Sequence, residues 1–141
     1  MTVRLSDEAR QYIARIETET GVTVRDCVID EEFDRLLVVV KAGEMGQAIG
    51  PDGEHVRRLE DQFGRDVKLV EDAPTVEGFV ANALAPAAVY NVTVSENDDT
   101  VAYAEVPDED KGVAIGSDGR TIAAARTLAA RHFDVDDVEL A

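Results

Sequence analysis

Hydrophobic positions along the first half of the chain alternate between helical and strand spacing. Apolar side chains recur at helical spacing over 6–18, which predicts an amphipathic helix that begins after Ser6 and ends near Gly21. Apolar runs over 22–29 and 36–41 flank a polar turn and predict a β-hairpin. The other predicted elements are a short helix over 43–49, a helix that contains Val56, Leu59 and Phe63, and a strand over 67–70.

The second half repeats this order at an offset of 66 residues, as from Gly50 to Gly116 (116 − 50 = 66). Its first helix is predicted over 72–84, with Asp72 and Pro74 at its start. The further predicted elements are strands over 89–94 and 100–106, a short helix over 108–115, a helix that contains Ile122, Ala125 and Ala129, and a strand over 135–140. An internal repeat of this length predicts an α+β fold with two units, 1–71 and 72–141.

A six-residue signature, A-I-G-x-D-G, occurs once in each half, over 48–53 and 114–119. Each copy lies just before a predicted helix. Glycines at such a turn let a phosphodiester backbone approach closely, and the N–H groups of a helix start favour phosphate. We therefore expect the N–H groups of Gly53 and Glu54, and those of Gly119 and Arg120, to face phosphate. The signature indicates a site for a nucleic-acid backbone.

The charge of the chain opposes this interpretation. The net charge is −16, from 30 acidic and 14 basic residues, and nucleic-acid-binding proteins usually have a basic face. Lysine occurs only three times, and an acidic, lysine-poor composition resembles that of cytoplasmic proteins from salt-accumulating archaea. At about 1 M salt the Debye length is about 3 Å, so self-repulsion is screened. The alternative is an acidic protein that binds basic partners.

Several classes of protein are not expected from this sequence. It holds no apolar run of membrane-spanning length and no apolar leader, which predicts a cytoplasmic protein. The single cysteine, Cys27, lies among apolar neighbours, so we expect a buried thiol. The two histidines, His55 and His132, belong to no metal-ligand motif, and no nucleotide-binding P-loop occurs. Neither enzymatic activity nor a cofactor or metal is expected.

The element order and the paired Gly-x-x-Gly turns resemble two tandem KH domains of type II. The segment 74–87, P-T-V-E-G-F-V-A-N-A-L-A-P-A, is similar to the one that opens the second KH domain in the NusA family. The resemblance spans about 4–140 and is nearest to the archaeal, KH-only form, whereas bacterial members add a polymerase-binding domain and an S1 domain. It implies the order α-β-β-α-α-β in each unit, with a three-stranded sheet packed against helices.

The resemblance also implies a function and a site. It implies that the protein binds single-stranded RNA and acts in transcription elongation, pausing or termination. The protein is expected to be a monomer, and RNA polymerase is a second candidate partner. Two alternatives stay open: a role in ribosomal RNA maturation, and an acidic protein-interaction scaffold whose clamp no longer binds RNA. The implied RNA-binding residues are Ile49, Gly50, Pro51, Asp52, Gly53, Arg57, Arg58, Ile115, Gly116, Ser117, Asp118, Gly119 and Arg120.

Two features of this set leave alternatives. Ile49 and Ile115 are expected in the apolar floor of a nucleotide-binding groove, in the core, or in both. Asp52 and Asp118 stand where the family commonly has lysine, arginine or a small residue, and a carboxylate beside phosphate is repulsive. Either high salt and backbone amides preserve binding, or the clamp has lost affinity. Arg120, at a helix start, is the leading candidate for a phosphate contact.

Overall fold

The computed structural model describes residues 4–141, which divide into two compact units, one ending at Asp72 and the other beginning at Ala73. Within residues 4–72, the first unit has three α-helices and three strands. They are α1 (Asp7–Thr20), β1 (Val24–Asp30), β2 (Arg35–Val40), α2 (Met45–Ile49), α3 (Glu54–Phe63) and β3 (Asp66–Glu71). The sheet order is β1-β2-β3, with β2 antiparallel to β1 and parallel to β3.

Local signals in the sequence explain the ends of α1. The Ser6 hydroxyl accepts a hydrogen bond from the Ala9 N–H (3.1 Å), which is a standard N-cap interaction. Gly21 ends the helix with φ of 76°, a left-handed conformation that glycine adopts without a steric penalty. The apolar stripe of α1 packs on one face of the sheet. Its Ile16 is fully buried in a core with Leu36, Val38 and Leu59.

The second unit repeats this architecture. Its elements are α4 (Val76–Ala83), β4 (Asn91–Glu96), β5 (Thr100–Glu105), α5 (Lys111–Ile115), α6 (Arg120–Phe133) and β6 (Asp137–Leu140). The sheet order is β4-β5-β6, again with one antiparallel and one parallel pairing. The predicted α+β fold of two units, each with the order α-β-β-α-α-β and a three-stranded sheet, is confirmed. The buried position of Cys27 is also confirmed.

The predicted start of the fourth helix at residue 72 was wrong. β3 extends to Glu71, and the Asp72 N–H donates to the Val40 carbonyl at 2.8 Å, so this residue still belongs to the sheet edge. The helix begins at Val76, because the Thr75 hydroxyl caps it by accepting from the Gly78 N–H at 3.1 Å. The helix start is therefore fixed by the N-cap Thr75, and not by Asp72 and Pro74 as the sequence analysis expected.

The constant offset between the units ends at the long helices. α3 has 10 residues and α6 has 14, about one additional helical turn. Leu36 pairs with Val67, whereas its counterpart Ala102 pairs with Val138, an offset of 71 (138 − 67 = 71). The last strand therefore begins at Asp137 and not at the predicted residue 135.

Among the helices of residues 4–141, none is long and apolar enough to span a membrane.

Candidate nucleic-acid interface

The two Gly-x-x-Gly turns, loop 1 (residues 50–53) and loop 2 (residues 116–119), have nearly the same backbone conformation. In each unit the loop joins a five-residue helix, α2 or α5, to a long one, α3 or α6. The first glycine has φ/ψ of 77°/169° in loop 1 and 82°/168° in loop 2. The aspartate has 54°/27° and 56°/23°, and the second glycine has 74°/17° and 77°/15°. Three of the four residues in each loop therefore have positive φ.

The loop aspartates have a conformational cause that sequence analysis missed. Asp52 and Asp118 both lie in the left-handed region. Aspartate and asparagine tolerate this region better than other L-residues, because their short polar side chains can hydrogen-bond locally. The backbone angles of the third loop position therefore favour aspartate, even though its carboxylate would repel a phosphate.

At the first glycine of each loop, another side chain of the same unit occupies the space where a Cβ would stand. Its angles lie in a region that is essentially restricted to glycine. A Cβ at Gly50 would lie 2.7 Å from Nδ1 of His55, and one at Gly116 would overlap the Thr121 side chain and lie 2.8 Å from its backbone nitrogen. The expectation that both glycines of each loop give a nucleic-acid backbone close access is therefore wrong for the first glycine.

The second glycine is the open one. A Cβ built at Gly119 would meet no heavy atom within 4 Å, and one at Gly53 would meet only the far end of the Arg57 side chain, with Nη1 at 3.1 Å. At these two positions the absence of a side chain leaves space outside the protein. This is the geometry that close approach of another backbone requires.

The backbone amides that we expected to face phosphate are already used within the turns. The Gly53 N–H donates to the Gly50 carbonyl at 3.1 Å, and the Gly119 N–H donates to the Gly116 carbonyl at 3.0 Å. The next N–H, of Glu54 or Arg120, donates to the carbonyl of the second loop residue. That expectation was wrong, because the loops close as turns. Loop 2 also has one more backbone donor than loop 1, since Ser117 has an N–H where Pro51 has none.

The two arginines predicted beside loop 1 lie in different surroundings. Arg58 forms ion pairs with Glu54 (2.6 Å) and Glu19 (3.1 Å). The hydrogen bond that Arg58 donates to the Glu19 carboxylate, aided by the charge of Glu54, raises the pKa of Arg58 above its ordinary value. Arg57 is exposed beside Gly53, and within residues 4–141 no carboxylate lies at ion-pair distance from it. Arg57 thus has the guanidinium that can serve an external anion.

The charge at the corresponding helix starts is reversed between the units. The first residue of α3 is Glu54, an anion in the first turn, whereas that of α6 is Arg120 and its first turn has no acid. A phosphate near loop 1 would therefore meet a carboxylate at the helix start, and that carboxylate is paired with Arg58. A phosphate near loop 2 would meet no carboxylate in the first turn of α6.

The isoleucines before the loops are exposed. Ile49 is 38% exposed and Ile115 is 42% exposed, so the core interpretation was wrong. Beside Ile115 on α5, Val113 is 43% exposed, whereas the matching residue of α2 is the polar Gln47 (113 − 66 = 47). Each loop thus has apolar surface next to it, and α5 offers more of it than α2.

The residues that pack against the first glycines were also missed by sequence analysis. His55 Nδ1 lies 2.8 Å from the Gln47 carbonyl oxygen, and Thr121 takes the same place in the second unit. Both residues stand at the same place in the sequence motif, five positions after the first glycine, and that shared position was the signal that could have identified them. Among the described residues, no group of histidine, cysteine or carboxylate side chains is placed to hold a metal ion.

Comparisons with known proteins cover both units. A model of the KH domain matches residues 8–98, and a model of the NusA-like second KH domain matches residues 76–141. The probable transcription termination protein NusA of Halobacterium salinarum is 69% identical over 140 residues, which are 99% of this chain and 99% of that protein. The protein of the same description from Halococcus morrhuae is 57% identical over 141 residues, 100% of each chain.

One solved structure matches almost the entire fold. The crystal structure of APE1850 has 31% sequence identity and a TM-score of 0.86, and the match covers 97% of this chain and 100% of that one. The similarity therefore extends over both units, and the two relatives come from salt-adapted archaea, as the acidic composition predicts.

Proposed function

We propose that this chain, which belongs to the NusA family of KH-domain proteins, binds single-stranded RNA and acts in transcription elongation, pausing or termination. The observation that supports this most is the open second glycine in two loops of the same conformation, each directly after an exposed isoleucine. The relatives described as probable transcription termination proteins match this chain over nearly its full length.

The proposed contacts follow the chemistry around each loop. The RNA backbone passes the open side of Gly53 and Gly119, where no Cβ stands in the way. Bases pack on the exposed apolar side chains of α2 and α5, and a KH domain binds about four nucleotides in this manner. Arg57 beside loop 1 and Arg120 beside loop 2 supply positive charge. Of the residues predicted from sequence we leave out Arg58, because two carboxylates hold its guanidinium.

The cellular setting is part of the proposal. The protein acts in the cytoplasm at high salt, as a monomer without catalytic activity, and RNA polymerase is its second candidate partner. The net charge of −16 supports the high-salt setting, because screening by molar salt weakens the repulsion between 30 acidic residues and an RNA strand.

The test is an RNA titration at about 2 M potassium chloride, followed by fluorescence anisotropy of a labelled single strand of about ten nucleotides, enough for two KH sites. The parent is compared with the double variant Gly53→Asp, Gly119→Asp, and with Gly53→Asn, Gly119→Asn as a matched control without added charge. We expect the aspartate variant to lose binding while its circular dichroism stays that of the parent.

Two outcomes would redirect the proposal. No RNA binding by the folded parent would favour the protein-interaction scaffold, and parent-like binding by the folded aspartate variant would place the RNA site elsewhere. Co-purification with RNA polymerase separates the transcription role from ribosomal RNA maturation, which predicts association with ribosomal RNA precursors.

A further inference from the structure

The imidazole of His55 lies across loop 1. His55 is in the first turn of α3, directly after the loop, and its half-buried ring packs against Gly50, which ends α2. A Cβ on that glycine would lie 2.7 Å from Nδ1 and 2.9 Å from Cδ2 of the ring. The ring thus fills the space that the missing side chain leaves.

A hydrogen bond fixes the orientation of this ring. His55 Nδ1 lies 2.8 Å from the backbone carbonyl oxygen of Gln47 in α2. A carbonyl oxygen only accepts, so Nδ1 bears the hydrogen and donates it. The bond ties the start of α3 to one of the last carbonyl groups of α2, and loop 1 is the segment between them.

The same residue of α2 is anchored on its other side. The Gln47 side chain donates from Nε2 to the Thr20 carbonyl at 2.8 Å, at the end of α1. Thr20 in turn donates its hydroxyl to the Ile16 carbonyl at 2.6 Å, in the core of the unit. A continuous series of hydrogen bonds therefore connects His55 with the core.

The second unit has a different arrangement at the same place. Thr121 packs against Gly116 there, and the residue that corresponds to Gln47 is the exposed Val113. A valine side chain cannot donate a hydrogen bond. The link through a ring and an amide is therefore specific to loop 1.

We propose that His55 is a positioning residue for RNA binding by the first unit, because its Nδ1–H bond to Gln47 holds loop 1 in its binding conformation. This inference rests on the proposed function, since it assigns a role at the same site. Loop 1 has fewer groups of its own for an RNA strand than loop 2, as it has a proline at the second position and an acid at the following helix start. A fixed loop conformation reduces the ordering cost of binding.

The RNA arm of the test uses Gly119→Asp as background, so that loop 1 provides the binding. His55→Ala should weaken affinity about five- to tenfold, the size expected for one net hydrogen bond. His55→Asn should stay within about twofold of the background, because Asn Nδ2 occupies a place similar to His Nδ1 and can donate to the same carbonyl. His55→Gln, whose amide matches the position of Nε2, should behave like alanine.

The second arm does not depend on RNA. Nitrogen-15 NMR of the neutral imidazole should show the Nδ1–H tautomer, and amide chemical shifts of loop 1 should move in His55→Ala and return in His55→Asn. The opposite tautomer, or unchanged loop shifts in the alanine variant, would overturn the proposal.

The remaining outcomes concern the RNA affinities of the variants. These are compared under conditions in which circular dichroism shows that every variant is folded. Equal RNA affinity of His55→Ala and the background, or equal weakness of the asparagine and alanine variants, would also overturn the role of His55. A background variant that is folded and binds no RNA would instead contradict the proposed function of the first unit. The tautomer and the loop shifts would then still decide whether His55 holds the loop.

Discussion

Loop 1 and loop 2 have the same backbone and different surroundings. Their φ and ψ angles differ by 10° or less at both glycines and at the aspartate. The side chains at four matched positions nevertheless differ in kind. The pairs are Gln47 and Val113, Pro51 and Ser117, Glu54 and Arg120, and His55 and Thr121. Glycine and aspartate therefore set the shape of this turn, while its neighbours decide what the turn can bind.

The differences favour loop 2 as the stronger RNA contact. Loop 2 has an additional backbone N–H, an arginine at the following helix start and two exposed apolar side chains on α5. Loop 1 has a carboxylate at the helix start and depends on Arg57 for charge. We therefore expect unequal contributions to RNA affinity from two loops of equal conformation.

The largest expected effect tests the shared backbone. Gly50→Ala and Gly116→Ala should each destabilise the protein by about 2–4 kcal/mol, because the angles are restricted to glycine and the new Cβ overlaps the neighbouring side chain. Thermal unfolding in molar salt measures this. The matched controls are Gly46→Ala and Gly112→Ala in α2 and α5, where a Cβ meets nothing within 4 Å and alanine should stabilise by up to about 1 kcal/mol. Unchanged stability of Gly50→Ala would contradict the strained first position.

The next effect separates the two loops in binding. Gly119→Asp should weaken RNA affinity by about tenfold or more, and Gly53→Asp by less, because loop 2 is the stronger contact. Both second glycines lie in the left-handed region that aspartate tolerates, so each variant should lose only about 1 kcal/mol of stability. Anisotropy titrations of the single variants make the comparison. A larger loss in Gly53→Asp would reverse the ranking of the loops.

Salt dependence tests the same ranking. For the full chain we expect RNA affinity to stay flat or rise between about 0.1 M and about 3 M potassium chloride, since screening removes repulsion from the acidic surface. Each phosphate that an arginine neutralises on a single strand contributes about −0.7 to the slope of log affinity against log salt concentration. Each single variant keeps one proposed arginine contact, Arg57 in Gly119→Asp and Arg120 in Gly53→Asp. Their slopes should therefore be similar, and Gly119→Asp should stay the weaker binder at every salt concentration. A steep fall in the parent would mean that arginine contacts dominate both loops.

The smallest effect concerns two adjacent arginines. Arg57→Ala should weaken RNA affinity by about threefold, as expected for one exposed phosphate contact, and this loss should shrink as salt rises. Arg58→Ala is the matched control, because its guanidinium is already paired with Glu19 and Glu54. It should leave RNA affinity near that of the parent. A greater loss for Arg58→Ala would show that RNA displaces the carboxylates.

Much of the fold followed from local patterns in the sequence. Hydrophobic spacing, the cap at Ser6 and the stop at Gly21 predicted α1. The repeat predicted two units with the same element order, and the glycine signature predicted both loops between helices. These features depend on neighbours a few residues apart, so the sequence contains their physical causes. The start of α4 did not follow from local patterns, because a hydrogen bond from Asp72 to Val40 extends the sheet.

The details of the site could not be predicted from the sequence, because they depend on contacts between residues that the fold brings together in space. The sequence alone indicated where the loops are, that glycines there allow close approach of another backbone and that the chain is strongly acidic. The folded chain was needed to show that Gly53 is open while His55 fills the space at Gly50. It likewise showed that Glu19, 39 residues away in sequence, pairs with Arg58, while Arg57 lies beside the loop. Side-chain packing and charge pairing are set by distances in space, and no periodic pattern in the chain records those distances.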